Sequence, residues 1–229
     1  MLLRSRTMVV ARRNVGGSRR DMGRYTGPAC RLCRQAGEKL FLKGTRCQTP
    51  KCAIERRRRA PGDRGGRRRR RPSDYALRLI EKQKLRYSYG LLEGQFVRYL
   101  KRAKKESGVT GQRLLQLLER RLDNTVFRLN FAANRTQARQ LVTHGHFLVN
   151  GRKADIPSIL LRQNDVVAWK EASQSRDFVG ILADASPQRD LPSWLSLDPN
   201  TGEGRVIALP ELTDADAAVD TRLIVEFYR

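Results

Sequence analysis

Four cysteines, Cys30, Cys33, Cys47 and Cys52, are the only thiols in this 229-residue chain, and they follow the pattern C-x2-C-x13-C-x4-C. Two close pairs separated by a loop are spaced as a tetrahedral structural zinc site requires, each pair forming a knuckle and no position left open for chemistry. Gly37 and Gly44 let the intervening loop fold back, and Pro50 shapes the second knuckle. An iron–sulfur cluster and a pair of disulfides are the other readings of this spacing. The sequence shows no export signal, so a reducing compartment is expected, where disulfides do not persist. One structural zinc ion is therefore the expected cofactor. The same segment carries Arg31, Arg34, Lys39, Lys43, Arg46 and Lys51 against Glu38. Four thiolates around one divalent ion leave a net negative centre, which Arg31, Arg34, Arg46 and Lys51 offset while making the outer surface cationic. A segment this poor in large apolar residues needs a staple. Residues 23–55 are expected to unfold in strong chelator, since zinc supplies about 10–16 kcal/mol in comparable peptides.

The surrounding composition names the kind of partner. The net charge is +24 and the sequence pI about 11.1, a self-repulsion that a polyanion would relieve. The charge is uneven. Lys and Arg far outnumber acids up to residue 72 and stay in excess to residue 176, whereas the remainder is acidic on balance. No run approaches the roughly 18 apolar residues of a membrane span. Two histidines, His144 and His146, are the only ones. No nucleophile–base set, phosphate-cradling glycine loop or paired carboxylates accompany them, so no enzyme is expected.

The elements that must position these groups follow from periodicity. Residues 56–72 (RRRRAPGDRGGRRRRRP) are too rich in Arg, Gly and Pro to form a core, and read as an arm that orders on its partner. Ser73 and Asp74 begin a helix with the stripe Ala76, Leu77, Ile80, Leu85, ending at Gly90. A second helix spans about 93–106 with Phe96, Val97 and Leu100 on one side, stopped by Gly108. Thr110 caps a third, running to about Asn130 on the spine Leu114, Leu115, Leu118, Leu122, Val126, Leu129. Asn134, with Gln137 three residues on, caps a short fourth helix that Gly145 closes. Then the period changes to two. Residues 147–154 around Asn150-Gly151 read as a hairpin. Further strands are expected at Val166–Trp169, Trp194–Leu197, Val206–Leu209 and Leu223–Tyr228. The fold class is α+β, helices first and a small antiparallel sheet after.

Within residues 119–170 the polar helix faces suggest a phosphate-binding surface. Arg121, Asn124 and Arg128 share one side of the first helix. Arg135, Arg139 and Thr143 fall four apart on the next, beside Gln140 and His144, and Lys153 follows the hairpin turn. The words LDN, ARQLV, HGHFLVNG and NDVV make this stretch resemble the S-four RNA-binding domain. The resemblance extends to MGRYTGPACRLCR at 22–34, PKCAIERR at 50–57, PSDYALRLIEKQKLRYSYG at 72–90, LLERRLDN at 117–124 and LIVEFYR at 223–229. From Met22 to the last residue, the chain resembles the bacterial, four-cysteine form of the small-subunit ribosomal protein S-four family.

That resemblance implies a structural constituent of the small ribosomal subunit that binds 16S-type rRNA directly at a multi-helix junction and nucleates assembly of the subunit body. It implies contact with ribosomal protein S-five and other small-subunit proteins, an arm near the place where mRNA enters, and a part in translational accuracy. Repression of its own mRNA is also a family trait. The expected RNA-contacting set is Arg31 and Arg34 in the knuckle; Arg56, Arg57, Arg58, Arg67, Arg68, Arg69, Arg70 and Arg71 in the arm; Lys82, Lys84 and Arg86 on the first long helix; and Arg120, Arg121, Arg128, Arg135, Arg139, Gln140, His144 and Lys153 in the module. The chain departs from the family at Arg64-Gly65, where His-Gly is common, and in its long arginine run.

The expected divisions are a basic leader at 1–22 without order, the zinc knuckle at 23–55, the arm at 56–72, a helical domain at 73–116, the S-four domain at 117–182, and C-terminal strands at 183–229 packing on both domains. A cytoplasmic ribosome is expected; the arginine-rich leader also fits a transit peptide to an organellar one. The alternatives are an RNA-binding regulator or translational repressor outside the ribosome, and an enzyme that borrows the S-four domain. The latter would need a catalytic domain for which the remaining stretches are too short.

Overall fold

The computed structural model describes residues 25–57, 59–62, 71–174, 189–198, 201–211 and 219–229. The leader at 1–22, Arg58 and most of the arginine arm lie outside them. No described helix is long and apolar enough to cross a membrane.

The knuckle is built from a helix α1 (Ala29–Ala36), a 3-10 turn (Gly44–Gln48) and a single helical turn α2 (Ala53–Arg56). Gly37 ends α1 in the left-handed region and returns its N–H to the Cys33 carbonyl. Gly44, at φ 59°, sits against the S-four part of the molecule, where an added Cβ would meet the Ala133 carbonyl oxygen at 2.7 Å. Glycine is required there on both counts.

The helical domain holds α3 (Asp74–Ser88), α4 (Glu93–Lys105) and α5 (Thr110–Glu119). Ser73 caps α3 as expected, its hydroxyl accepting from the Ala76 N–H. Val109 rather than Thr110 occupies the cap position of α5, and no side chain serves it. Leu85, Phe96, Leu100, Leu114 and Leu118 fill this core.

The expected single helix from Thr110 to Asn130 is two. It breaks after Glu119 and resumes as α6 (Leu122–Arg128). Arg121 is extended at ψ 138°, and the backbone turns out to bond a neighbouring segment. Leu122 N donates to Ile159 O at 2.8 Å, Asp123 N to Pro157 O at 3.2 Å, and Leu161 N to Arg120 O at 2.9 Å. The break is also the border between two cores. Leu114, Leu115 and Leu118 belong to the helical one, while Leu122, Val126 and Leu129 belong to the second.

That second core lies between α6, α7 (Arg135–Thr143) and an antiparallel sheet. The strands are β1 (Phe147–Val149), β2 (Arg152–Ala154), β3 (Val166–Trp169), β4 (Leu195–Leu197) and β5 (Gly204–Val206), in the order β2-β1-β3-β5-β4. Asn150 and Gly151, at φ 49° and 75°, make the tight turn between β1 and β2. A short helix α8 (Glu171–Gln174) follows β3. Phe147 pairs with Ala154 on one side and Trp169 on the other. The architecture is α+β, as expected.

Two strand expectations are corrected. Pairing of the last strand stops at Val206, and Ile207 and Leu209 are exposed. Residues expected as a strand at Leu223–Tyr228 instead form α9 (Thr221–Phe227), capped by Asp220, whose carboxylate accepts from the Arg222 N–H at 2.8 Å. Its β-branched and aromatic composition suggests a strand. Tertiary packing decides otherwise: Ile224 is wholly buried in the helical core. The C-terminal residues thus divide between domains, with β4 and β5 completing the sheet and α9 packing on α3 and α5.

Candidate nucleic-acid interface

The knuckle brings all four cysteines to the wall of one small hollow, completed by Lys43, Arg46, Ala53 and Ile54. Cys33, Cys47 and Cys52 are buried and Cys30 is half-buried; all four are free thiols. The Lys43 N–H donates to the Cys47 sulfur at 3.4 Å. Burial pushes the Cys33 and Cys47 thiols up, against the lowering pull of N–H groups from Leu40 and Lys43 respectively. Backbone donors aimed at sulfur and four thiols facing one hollow suit a soft divalent ion. Among the described residues, however, no three cysteine, histidine or acidic side chains are drawn together closely enough to hold an ion as they stand.

Between the knuckle and the S-four helices runs a cleft of about 890 Å³. The knuckle contributes Tyr25, Phe41 and Lys43, the end of α3 contributes Arg86 and Tyr87, and α7 contributes Arg135, Thr136 and Arg139. Three residues of the expected RNA-contacting set (Arg86, Arg135 and Arg139) therefore meet in one concavity. Arg139 reaches Asp123 at 3.2 Å and keeps part of its guanidinium in solvent. Arg135 is more deeply committed. It donates to Asn124 Oδ1 at 2.8 Å and lies over the rings of Phe127 and Tyr89. Gln140, His144 and Lys153 are exposed at the end of α7 and on β2, Arg31, Arg56 and Arg57 are exposed on the knuckle, and Arg71 is exposed ahead of α3. Arg34 is half-buried and donates to the Arg59 carbonyl, while Arg120 donates to the Leu161 carbonyl. Arg58, Arg67, Arg68, Arg69 and Arg70 lie outside the described residues.

Four expected contacts turn inward, and this corrects the reading of the helix faces. Lys82 is buried, holding both Glu93 oxygens at 2.9 Å under the Phe227 ring. Lys84 bridges Glu81 and Glu38, joining α3 to the knuckle; burial opposes its charge, but the two carboxylates outweigh it and hold the ammonium above its ordinary value. Arg121 is 2% exposed, with both Asp123 oxygens and the Tyr99 hydroxyl as partners. Arg128 is buried against Glu119, which is wholly enclosed and also binds Asn124 and the Tyr89 hydroxyl. Burial, and next the Glu119 charge, hold the Tyr89 phenol well above its usual range. The reason is physical: a buried charge needs a partner, and periodicity does not show which acids the fold turns toward these cations.

The cleft aromatics Tyr25, Phe41 and Tyr87 had no place in the sequence reading. Their signal was aromatic rings interleaved with cations, as in Lys39-Leu40-Phe41-Leu42-Lys43. Arg189 was missed as well. It lies over the Phe127 ring and donates to the Phe127, Ala132 and Ala133 carbonyls, fastening the C-terminal segment to the S-four core.

The chain thus joins a helical domain bearing a cysteine knuckle to a cation-bearing helix pair on a small sheet. Residues 24–119 match the model of the ribosomal protein S4/S9 N-terminal domain, and residues 120–167 match the S4 domain. The small ribosomal subunit protein uS4 of Heliobacterium modesticaldum is 54% identical over 207 residues, 90% of this chain and 99% of the relative. Those of Desulfitobacterium hafniense and Thermus thermophilus are 53% and 52% identical over the same shares. The chain belongs to the ribosomal protein uS4 family. The border between the two matched domains falls at the break between α5 and α6.

Proposed function

We propose that the protein is a structural constituent of the small ribosomal subunit that binds its rRNA through the cleft and the exposed cations beside it. The role is architectural, not catalytic. The observation that carries it is identity above 50% with small-subunit uS4 proteins over nearly their whole length. The charge of +24 supports it, since phosphate contacts dominate affinity for such a partner. Binding early at an rRNA junction, nucleation of the subunit body, contact with ribosomal protein S-five, approach of the arginine arm to mRNA and an effect on accuracy extend the same reading. Ribosomes are the proposed location, cytoplasmic or, with the leader as transit peptide, organellar.

One structural zinc ion, held by Cys30, Cys33, Cys47 and Cys52, is proposed as part of this function. The ion would supply a cross-link between the two cysteine pairs and no chemistry. The functional test is sedimentation of the tagged protein from a gently prepared lysate, followed by sequencing of crosslinked RNA. Co-sedimentation with small subunits and crosslinks to small-subunit rRNA are expected; migration apart from ribosomal particles refutes the proposal.

A further inference from the structure

We infer that the cleft between the knuckle and α7 receives an unpaired base of RNA, with the ring of Phe41 as its stacking platform. This rests on the rRNA-binding reading above. Phe41 has φ 48°, in the left-handed region that a bulky residue occupies only under strain. Phe41 is 47% exposed, although the next residue back, Leu40, is buried. A segment short of apolar side chains would gain by turning this ring inward, yet a strained backbone presents it to the cleft. Strain of this kind, held in place by its surroundings, clusters at ligand sites.

The neighbours complete a pocket for a flat anionic ligand. Tyr25, 45% exposed, folds back over Gly27, where an added Cβ would lie 2.5 Å from the tyrosine oxygen. The Arg86 guanidinium lies 4.6 Å from the centre of the Tyr87 ring. Lys43, Arg86, Arg135 and Arg139 line the cleft with a single acid, Asp123, which is shared by Arg121 and Arg139, and Arg86 lies 3.6 Å from Glu93. The volume of about 890 Å³ lies within the range of about 300–1,000 Å³ of clefts that enclose small ligands. Aromatic faces under cations are how single-stranded RNA is held, each splayed base stacking on a ring while its phosphate meets a cation. An apolar helical peptide would cover the rings but bring no charge to Lys43 and the part of Arg139 left in solvent.

The test uses the full-length, zinc-loaded protein and small-subunit rRNA, with affinity measured over a salt series. Phe41→Asn removes the ring while tolerating the left-handed backbone. It should weaken binding about 5- to 150-fold, the usual loss for one stacking side chain, with the salt slope and melting temperature kept. Phe41→Tyr should restore affinity. Unchanged affinity in Phe41→Asn overturns the inference, and so does a loss accompanied by a lower melting temperature that Phe41→Tyr fails to rescue. Wild-type protein that ignores small-subunit rRNA sinks the proposed function instead. A short oligouridylate then decides the cleft: binding by wild type but not by Phe41→Asn upholds it, and equal behaviour overturns it.

Discussion

Between residues 25 and 57 the buried apolar side chains are Leu32, Leu40 and three cysteines, whereas the S4 domain closes on Leu122, Val126, Phe147, Trp169, Trp194 and their neighbours. Both present cations to one cleft. One region has a hydrophobic core to hold them in place, and the other has thiols around a hollow. Burial of a large side chain contributes about 1.5–3 kcal/mol, so two leucines cannot offset the ordering of a segment that costs about 1–2 kcal/mol per residue in backbone entropy. The two leucines and the seat against Ala133 thus leave the knuckle short of a core, while the S4 domain has one, with Glu119 of α5 neutralising Arg128 inside it.

Metal removal should separate the two regions most sharply. Elemental analysis should find one zinc per chain. Chelation should abolish amide-exchange protection across residues 29–56 and leave β1 and β3 protected, consistent with about 10–16 kcal/mol of metal-linked folding energy. Loss of protection in both regions would show that the S4 domain leans on the knuckle. Next in size is Glu119→Gln, which takes a buried counter-charge from Arg128 and should cost about 3–5 kcal/mol in urea unfolding. Phe147→Ala should cost a comparable 3–5 kcal/mol while leaving zinc content unchanged. Arg139→Ala with Lys153→Ala should lower the slope of log affinity against log salt by about 0.7–0.9 for each phosphate no longer neutralised, with the melting temperature nearly kept. Arg135 is the wrong residue for that experiment, because its removal also strips a cation from over Phe127 and Tyr89.

The smallest effect is in acid. Burial alone would raise the Glu93 carboxyl, but the Tyr228 hydroxyl and Lys82 together hold it below its ordinary 4.5. Its contribution is thus present above pH 4.5 and lost as the pH falls through the lower folded value. With the carboxylate half exposed, the term is within about 1 kcal/mol. Acid titration of Glu93→Gln should show a correspondingly flatter loss of stability.

Much of this was legible in the sequence where local chemistry decides. Ser73, Asn134 and the Asn150-Gly151 turn act as their residue types require, and the apolar spine from Leu114 to Leu129 is buried throughout. What escaped depends on contacts that only the folded chain brings together. The spine runs unbroken through Arg120 and Arg121, and only the segment at 157–161 reveals why the helix stops. The strand-like composition at the C-terminus gives way to a helix because Ile224 has a slot in the helical core. Charge periodicity separated polar from apolar faces. It could not distinguish a guanidinium aimed at solvent, as in part for Arg139, from one sealed against a carboxylate, as for Arg121 and Arg128.

The enclosed carboxylate of Glu119 has a consequence for how the polypeptide can be divided. The S4-domain match begins at residue 120, one position after the acid that neutralises Arg128. A fragment starting at that seam would lose a buried counter-charge of Arg128 and the carboxylate that accepts from the Asn124 side-chain amide. Any truncation intended to yield an autonomous C-terminal half should retain the preceding turn, so that the module travels with its own counterion.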